Sequence, residues 1–252
     1  MTLVVALQCT DGAILASDSQ STESTGNVRS AGQKVFPLTE HAVWGASGNG
    51  QIIAEIRDRL TDITNSTPVI MGQGIVNKVR PVLDRHYKNF INVPNQPPSS
   101  PGTSVLACGV WKETPWIVEV DAHCQYSQYE TKGYHAIGSG AEPAQYAIAV
   151  LSHFQTKNNS LEYGKMVVYR VMDTVIQTSA YHVGPPIQMW TVNQSGVHQL
   201  IDEELAQLQD AVATWKAVER DTLESVLSGR LATAPSIPQM DGAAPMPPEI
   251  EA

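Results

Sequence analysis

Two apolar runs, Leu3 to Gln8 and Ala13 to Ser17, stand either side of Thr10-Asp11-Gly12 near the start of the chain. An Asp-Gly pair between strand-like runs suits the tight turns whose twist matches the flanking strands, so the fold opens with an antiparallel hairpin. Lys34 to Leu38 and His41 to Ala46 read as a second strand pair, ending in a glycine cluster between Gly45 and Gly50 that permits close backbone approach. Ile52, Ile53, Ile56, Leu60 and Ile63 then recur at helical spacing. After the break at Pro68, Ile75, Val76, Val79, Val82, Leu83 and Tyr87 repeat that spacing, with Pro81 the place for a kink.

Asn92 to Gly102 is a Pro- and Ser-rich loop. Ser104 to Trp111, Trp116 to Asp121, Cys124 to Glu130 and Tyr134 to Ile137 read as short strands, grouped as a second sheet. Ala141 to Phe154 and Leu161 to Thr178 are expected to be helical, with Tyr146, Val150 and Phe154 along one stripe and Val167, Val171 and Ile176 along the other. Gln188 to Val192 and Val197 to Leu200 make a last hairpin. Asp202 to Ser228 carries an amphipathic stripe through Leu205, Leu208, Val212 and Trp215, with Asp202 as N-cap. Runs of strands followed by runs of helices, without strict alternation, imply an α+β fold: two antiparallel sheets sandwiched between helix layers, αββα.

The 252 residues, 42% hydrophobic and 16% charged, suffice for one domain of ordinary size. Residues 1–200 are assigned to that domain and 201–230 to a C-terminal helix. Five prolines with Gly, Ala and acidic residues mark 231–252 as a disordered tail. A formal net charge of -9 with no basic run argues against nucleic-acid or anionic-membrane partners. No apolar stretch approaches the ~18 residues of a membrane span, and the opening lacks the basic start of a secretory signal, so a cytoplasmic location is expected. Cys9, Cys108 and Cys124 show no metal-ligand spacing and are read as small buried thiols, with no metal and no cofactor required.

Thr2 directly follows Met1, and Asp18 and Lys34 follow Thr2 at equal spacings of sixteen residues. Methionine aminopeptidases remove an initiator Met efficiently when the next side chain is small. One routine cut therefore puts a hydroxyl and a free α-amine on the same residue. An α-amine titrates near pH ~7.7 to 8.0, close enough to neutrality to act as the base for its own hydroxyl.

Together these segments resemble the β-type subunits of the proteasome family, the N-terminal nucleophile hydrolases that include the bacterial HslV peptidase. The opening strand from Thr2, the segment Gly12 to Asp18, Gln33-Lys34-Val35-Phe36, the glycine turn Gly45 to Gly48, and Gly138-Ser139-Gly140 each resemble a family motif, in family order, between Thr2 and about Leu200. The resemblance implies a threonine-type endopeptidase. Thr2 would attack, Lys34 with Asp18 would set the electrostatics, Gly45 would hold the oxyanion, and Ser139 would orient the amine and the attacking water. It places the substrate pocket around Val43, with Ser21, Gly32 and Ser47, hence neutral and apolar and suited to medium hydrophobic residues. It further implies homo-oligomeric rings, peptide or unfolded-protein substrates and an ATPase unfoldase as companion. One departure is that the Asp-x-x-Ser pair usual before the last hairpin is replaced by Thr178 to Gly184, with no Asp. Two other readings share this fold: a catalytically silent structural subunit and a small-molecule amidase.

Overall fold

The computed structural model describes residues 2–22, 29–91, 102–129, 131–151, 159–178 and 183–229, with the side chains of 21, 22, 29, 30 and 89–91 outside that description. The chain divides into two compact units, 1–212 and 213–252. The second is described as far as residue 229, and its described part is mainly helical. The tail 231–252 lies outside the described residues.

In chain order, β1 (Leu3–Cys9) and β2 (Gly12–Asp18) form the opening hairpin, followed by the short pair β3 (Gln20–Thr22) and β4 (Arg29–Ala31). Next come β5 (Val35–Thr39), β6 (Ala42–Ser47), α1 (Gly50–Arg59), a single 3-10 turn over Leu60–Asp62, and α2 (Pro68–Ile91). Pro68 occupies the first position of α2, where its missing N–H costs nothing. Strands β7 (Ser104–Trp111), β8 (Thr114–Val120), β9 (Tyr126–Gln128) and β10 (Tyr134–Gly138) precede α3 (Ala141–Leu151) and α4 (Leu161–Thr178). A last hairpin, β11 (Ile187–Asn193) and β12 (Gly196–Gln199), leads into α5 (Asp202–Leu227). Asp202 lies inside α5 rather than capping it. Glu204 instead reaches back to the Ile201 N–H at 2.9 Å, the reverse half of a capping box.

The five-stranded sheets run β10-β1-β2-β11-β12 and β5-β6-β7-β8-β9. Strand propensity groups Tyr134 to Ile137 with the strands just before it, but β10 crosses to the other sheet and β5–β6 takes its place in the second. Pairing explains this. β2 satisfies only one edge of β1, whose residues from Leu3 to Leu7 are at most 1% exposed, so its other row of buried N–H and C=O groups needs a partner. β10 supplies it in the register Leu3↔Gly138 to Leu7↔Tyr134.

The sheets face each other through Val4, Ala6, Ala13 and Leu15 from one and Val35, Val43, Leu106, Cys108 and Ile117 from the other. On the far side of the second sheet, Trp44, Ala46, Val105 and Trp116 pack under Ile52, Ile56, Met71, Ile75 and Val79 of α1 and α2. Helices α3 and α4 cover the first sheet. Gly164 of α4 comes so near β1 and β2 that a methyl there would meet Cys9, Ile14 and Leu7. The result is the αββα order. The covering face of α3 is Ala144, Ile148 and Leu151, whereas Tyr146 and Val150 are about two-thirds exposed, so the stripe expected from sequence is the outer one. Phe154 lies outside the described residues. All three cysteines are buried and free, and burial pushes the Cys9 thiol up to about 12.

Candidate active site

The register Val4↔Ser17 carries Asp18, at the end of β2, opposite the start of β1. There its carboxylate is wholly buried and filled from four sides. Oδ1 accepts from the Leu3 N–H at 2.9 Å and from Lys34 Nζ at 2.8 Å, while Oδ2 accepts from the N–H groups of Gln20 at 3.1 Å and Gly184 at 3.3 Å. A buried charge is tolerable only when so saturated. Asp18 thus fixes two things with one group: the main chain immediately after Thr2 and the ammonium of Lys34. Lys34 Nζ also donates to the Gln20 carbonyl at 2.6 Å, and its side chain is 11% exposed. Burial lowers the Lys34 pKa below the ordinary lysine value, and the charge and hydrogen bond of Asp18 oppose that fall.

Thr2, 6% exposed, and Lys34 line the same cavity of about 280 Å³. The Gly138-Ser139-Gly140 turn holds Thr2 from the other side. Gly138 has φ +96, and a methyl built there would overlap the Thr2 carbonyl oxygen, so glycine is required twice over. The Gly140 N–H and the Ser139 hydroxyl both donate to that carbonyl at 3.5 Å, long but convergent. Among Thr178 to Gly184, the Thr178 hydroxyl is turned back to the Thr174 carbonyl at 2.8 Å, and Gly184 contributes its N–H to Asp18. Ser179 to His182 lie outside the described residues.

The pocket expected around Val43 sits on the wrong face of its strand. Val43 is buried between the sheets, a methyl on Gly45 would meet Val4 and the Lys34 carbonyl, and one on Gly138 would meet Ser47. These odd-numbered positions of β6 therefore face the opposite sheet, while Ala42, Trp44 and Ala46 face α1 and α2. The cavity opens on that second face, lined by Ala46, Phe36, Ile53 and Ala54, with Gly48 at the strand's end. A one-residue slip in register exchanges all such positions at once. Gly45 is moreover paired on both sides within the sheet, with Val35 and Leu106. Gly48, with φ +130, takes its place on the cavity wall. Of the other pocket residues, Gly32 does line the cavity, and the Ser21 side chain lies outside the described residues. The expectation of a neutral lining is also corrected, because Arg57 of α1 stands on the wall with its guanidinium carbon 5.7 Å from the centre of the Phe36 ring.

Gln188 of β11 was invisible to sequence pattern. Its amide donates to the Gly32 carbonyl at 2.7 Å and accepts from the Lys34 N–H at 3.0 Å, clamping the backbone of residues 32–34 to the first sheet. Gln188→Leu removes one partner from each of these half-buried groups and should cost about 0.5–1.5 kcal/mol per hydrogen bond lost. A urea-denaturation midpoint that does not move would show the clamp to be idle.

The family model described as "Proteasome subunit" matches residues 2–185. Proteasome subunit beta 1 of Pyrococcus horikoshii is 24% identical over 206 residues, covering 79% of this chain and 94% of that one. Among solved structures, an Anbu mutant from Hyphomicrobium sp. strain MC1 superimposes with a TM-score of 0.65 at 14% identity, over 89% of this chain and 97% of that chain, and this likeness is one of fold. No helix among the described residues is long and apolar enough to cross a membrane. The match runs through Thr2, Asp18, Lys34 and the Gly138 turn, and the chain belongs to the proteasome subunit family.

Proposed function

We propose that the protein is a threonine-type endopeptidase whose nucleophile is Thr2 after removal of Met1. The observation that carries this reading is the single carboxylate of Asp18, which binds both the Leu3 N–H and the Lys34 ammonium and so holds Thr2 and Lys34 at one cavity.

In the reaction, Thr2 Oγ adds to the substrate's amide carbonyl while its α-amine takes the hydroxyl proton. The Lys34 ammonium stays charged, favours the alkoxide-like oxygen and lowers its pKa. Gly48 lines the cavity, and its backbone N–H is the donor this mechanism assigns to the developing oxyanion. As the tetrahedral intermediate collapses, the C–N bond breaks and the protonated amine returns its proton to the leaving nitrogen. Water then enters under the same base, with Ser139 orienting both, and hydrolyses the ester to free Thr2. No cofactor takes part. The family setting favours a homo-oligomeric ring acting on peptides or unfolded proteins in the cytoplasm, supplied by an ATPase unfoldase.

The proton inventory fixes the pH dependence of kcat/KM. On the acid side the amine must be neutral, so activity should rise through the ~7.7 to 8.0 range of a free terminus. On the alkaline side the Lys34 proton is lost, at a pH below the ordinary lysine value because the folded-state pKa is lowered. A bell is therefore expected in fluorogenic-peptide hydrolysis. Activity that persists unchanged in protein retaining Met1, or a profile flat through the amine range, contradicts the mechanism, and a silent subunit gives no turnover at any pH.

A further inference from the structure

The cavity beside Thr2 is built for a charge that family resemblance alone does not supply. Its volume of about 280 Å³ falls at the small end of ligand sites, typically about 300–1,000 Å³, and suits one substrate side chain rather than a whole small molecule. Phe36, Ala46, Ile53 and Ala54 give it apolar walls, and among the described residues its lining holds two cations, Lys34 and Arg57, and no carboxylate. The two cations differ. Lys34 is matched by Asp18 at 2.8 Å. Arg57 pairs only loosely along its own helix, Nε to Asp58 Oδ1 at 3.7 Å, beyond hydrogen-bond length, with the two side chains 54% and 75% exposed.

The guanidinium carbon lies 5.7 Å from the centre of the Phe36 ring, an attraction that holds its charge beside residues common to this cavity and to the neighbouring one over Pro37, Leu38, Trp44 and Leu60. A planar fork held this way matches a carboxylate through two parallel hydrogen bonds. We propose that Arg57 is a specificity-determining residue and that the cavity receives an acidic side chain, so that cleavage follows Glu or Asp in preference to neutral residues of the same shape. This rests on the peptidase reading for the cleavage step but not for the binding step.

The test compares four acylated tetrapeptide aminocoumarins that differ only in the last residue, Glu, Gln, Leu or Lys, together with fluorescence anisotropy of the same four sequences as labelled amides. Wild-type protein lacking Met1 should favour Glu over Gln by about tenfold in kcat/KM, the worth of a charge-assisted hydrogen bond at a half-exposed site. That ratio should shrink as salt rises, because an exposed guanidinium is screened. Arg57→Gln should bring it close to one, and Arg57→Glu should invert it towards Lys. Cleavage of all four peptides with no Glu preference overturns the role of Arg57 and leaves the peptidase intact. Glu-selective binding that needs Arg57, without any turnover, supports the acidic cavity and removes the peptidase. Neither binding nor turnover overturns both.

Discussion

Thr2→Ala, in protein from which Met1 has been removed, is expected to lower kcat by on the order of 10⁴-fold or more, the scale seen when a covalent nucleophile is deleted from a preorganised site. The substitution leaves the backbone that Gly138, Ser139 and Gly140 hold, since their contacts are to the Thr2 carbonyl and not to its hydroxyl. The fold should survive, and thermal unfolding should move little. Thr2→Ser keeps an attacking oxygen on the same amine-bearing residue and should retain far more activity than Thr2→Ala. Single-turnover hydrolysis of a fluorogenic peptide by the two variants separates them. An alanine variant that keeps a tenth of the wild-type rate would put the nucleophile elsewhere.

Asp18→Ala should have the largest effect on stability. It takes the counter-charge from a Lys34 ammonium that is 11% exposed and keeps its bond to the Gln20 carbonyl, and it removes the acceptor from three main-chain N–H groups at once. Removing one partner of a buried ion pair costs about 3–5 kcal/mol, against a total of roughly 5–15 kcal/mol for an ordinary domain. Lys34→Met is the informative contrast. The carboxylate keeps its three N–H donors, so the loss should be smaller than for Asp18→Ala, while turnover disappears in both. Urea denaturation at constant m-value ranks the two. Equal midpoints would mean that Asp18 acts only through Lys34 and does not anchor the first strand.

What was legible in sequence was the part fixed by local rules. The Asp11-Gly12 turn sets the β1–β2 register, and that register brings Asp18 back beside the start of β1. The even spacing of Thr2, Asp18 and Lys34 is visible in the sequence, and the roles of Asp18 and Lys34 come from the family resemblance. What escaped depends on contacts distant in sequence or on a single step of phase. The partner of β1 is 135 residues away at Leu3↔Gly138, and nothing in the composition of β10 distinguishes one sheet edge from another. The pocket lies on the other face of β6 because Val43 and Ala46 belong to opposite faces of one strand, and a one-residue step in register exchanges them. The buried stripe of α3 is Ala144, Ile148 and Leu151, while Tyr146 and Val150 lie on its exposed side, so residue size does not mark the covering face. Gln188 and Arg57 carry no motif at all. Each matters only because folding brings it against the Gly32 to Phe36 segment.

The central claim is that a threonine hydroxyl and its own amine work together beside a lysine ammonium. Intact-mass spectrometry of the purified particle, before and after a peptide epoxyketone that must react with both hydroxyl and amine, reads this directly. The account predicts loss of Met1 followed by one adduct per chain on Thr2, abolished in Thr2→Ala and in Lys34→Met. A functional, peptide-cleaving particle that retains Met1 and takes up no adduct would contradict it.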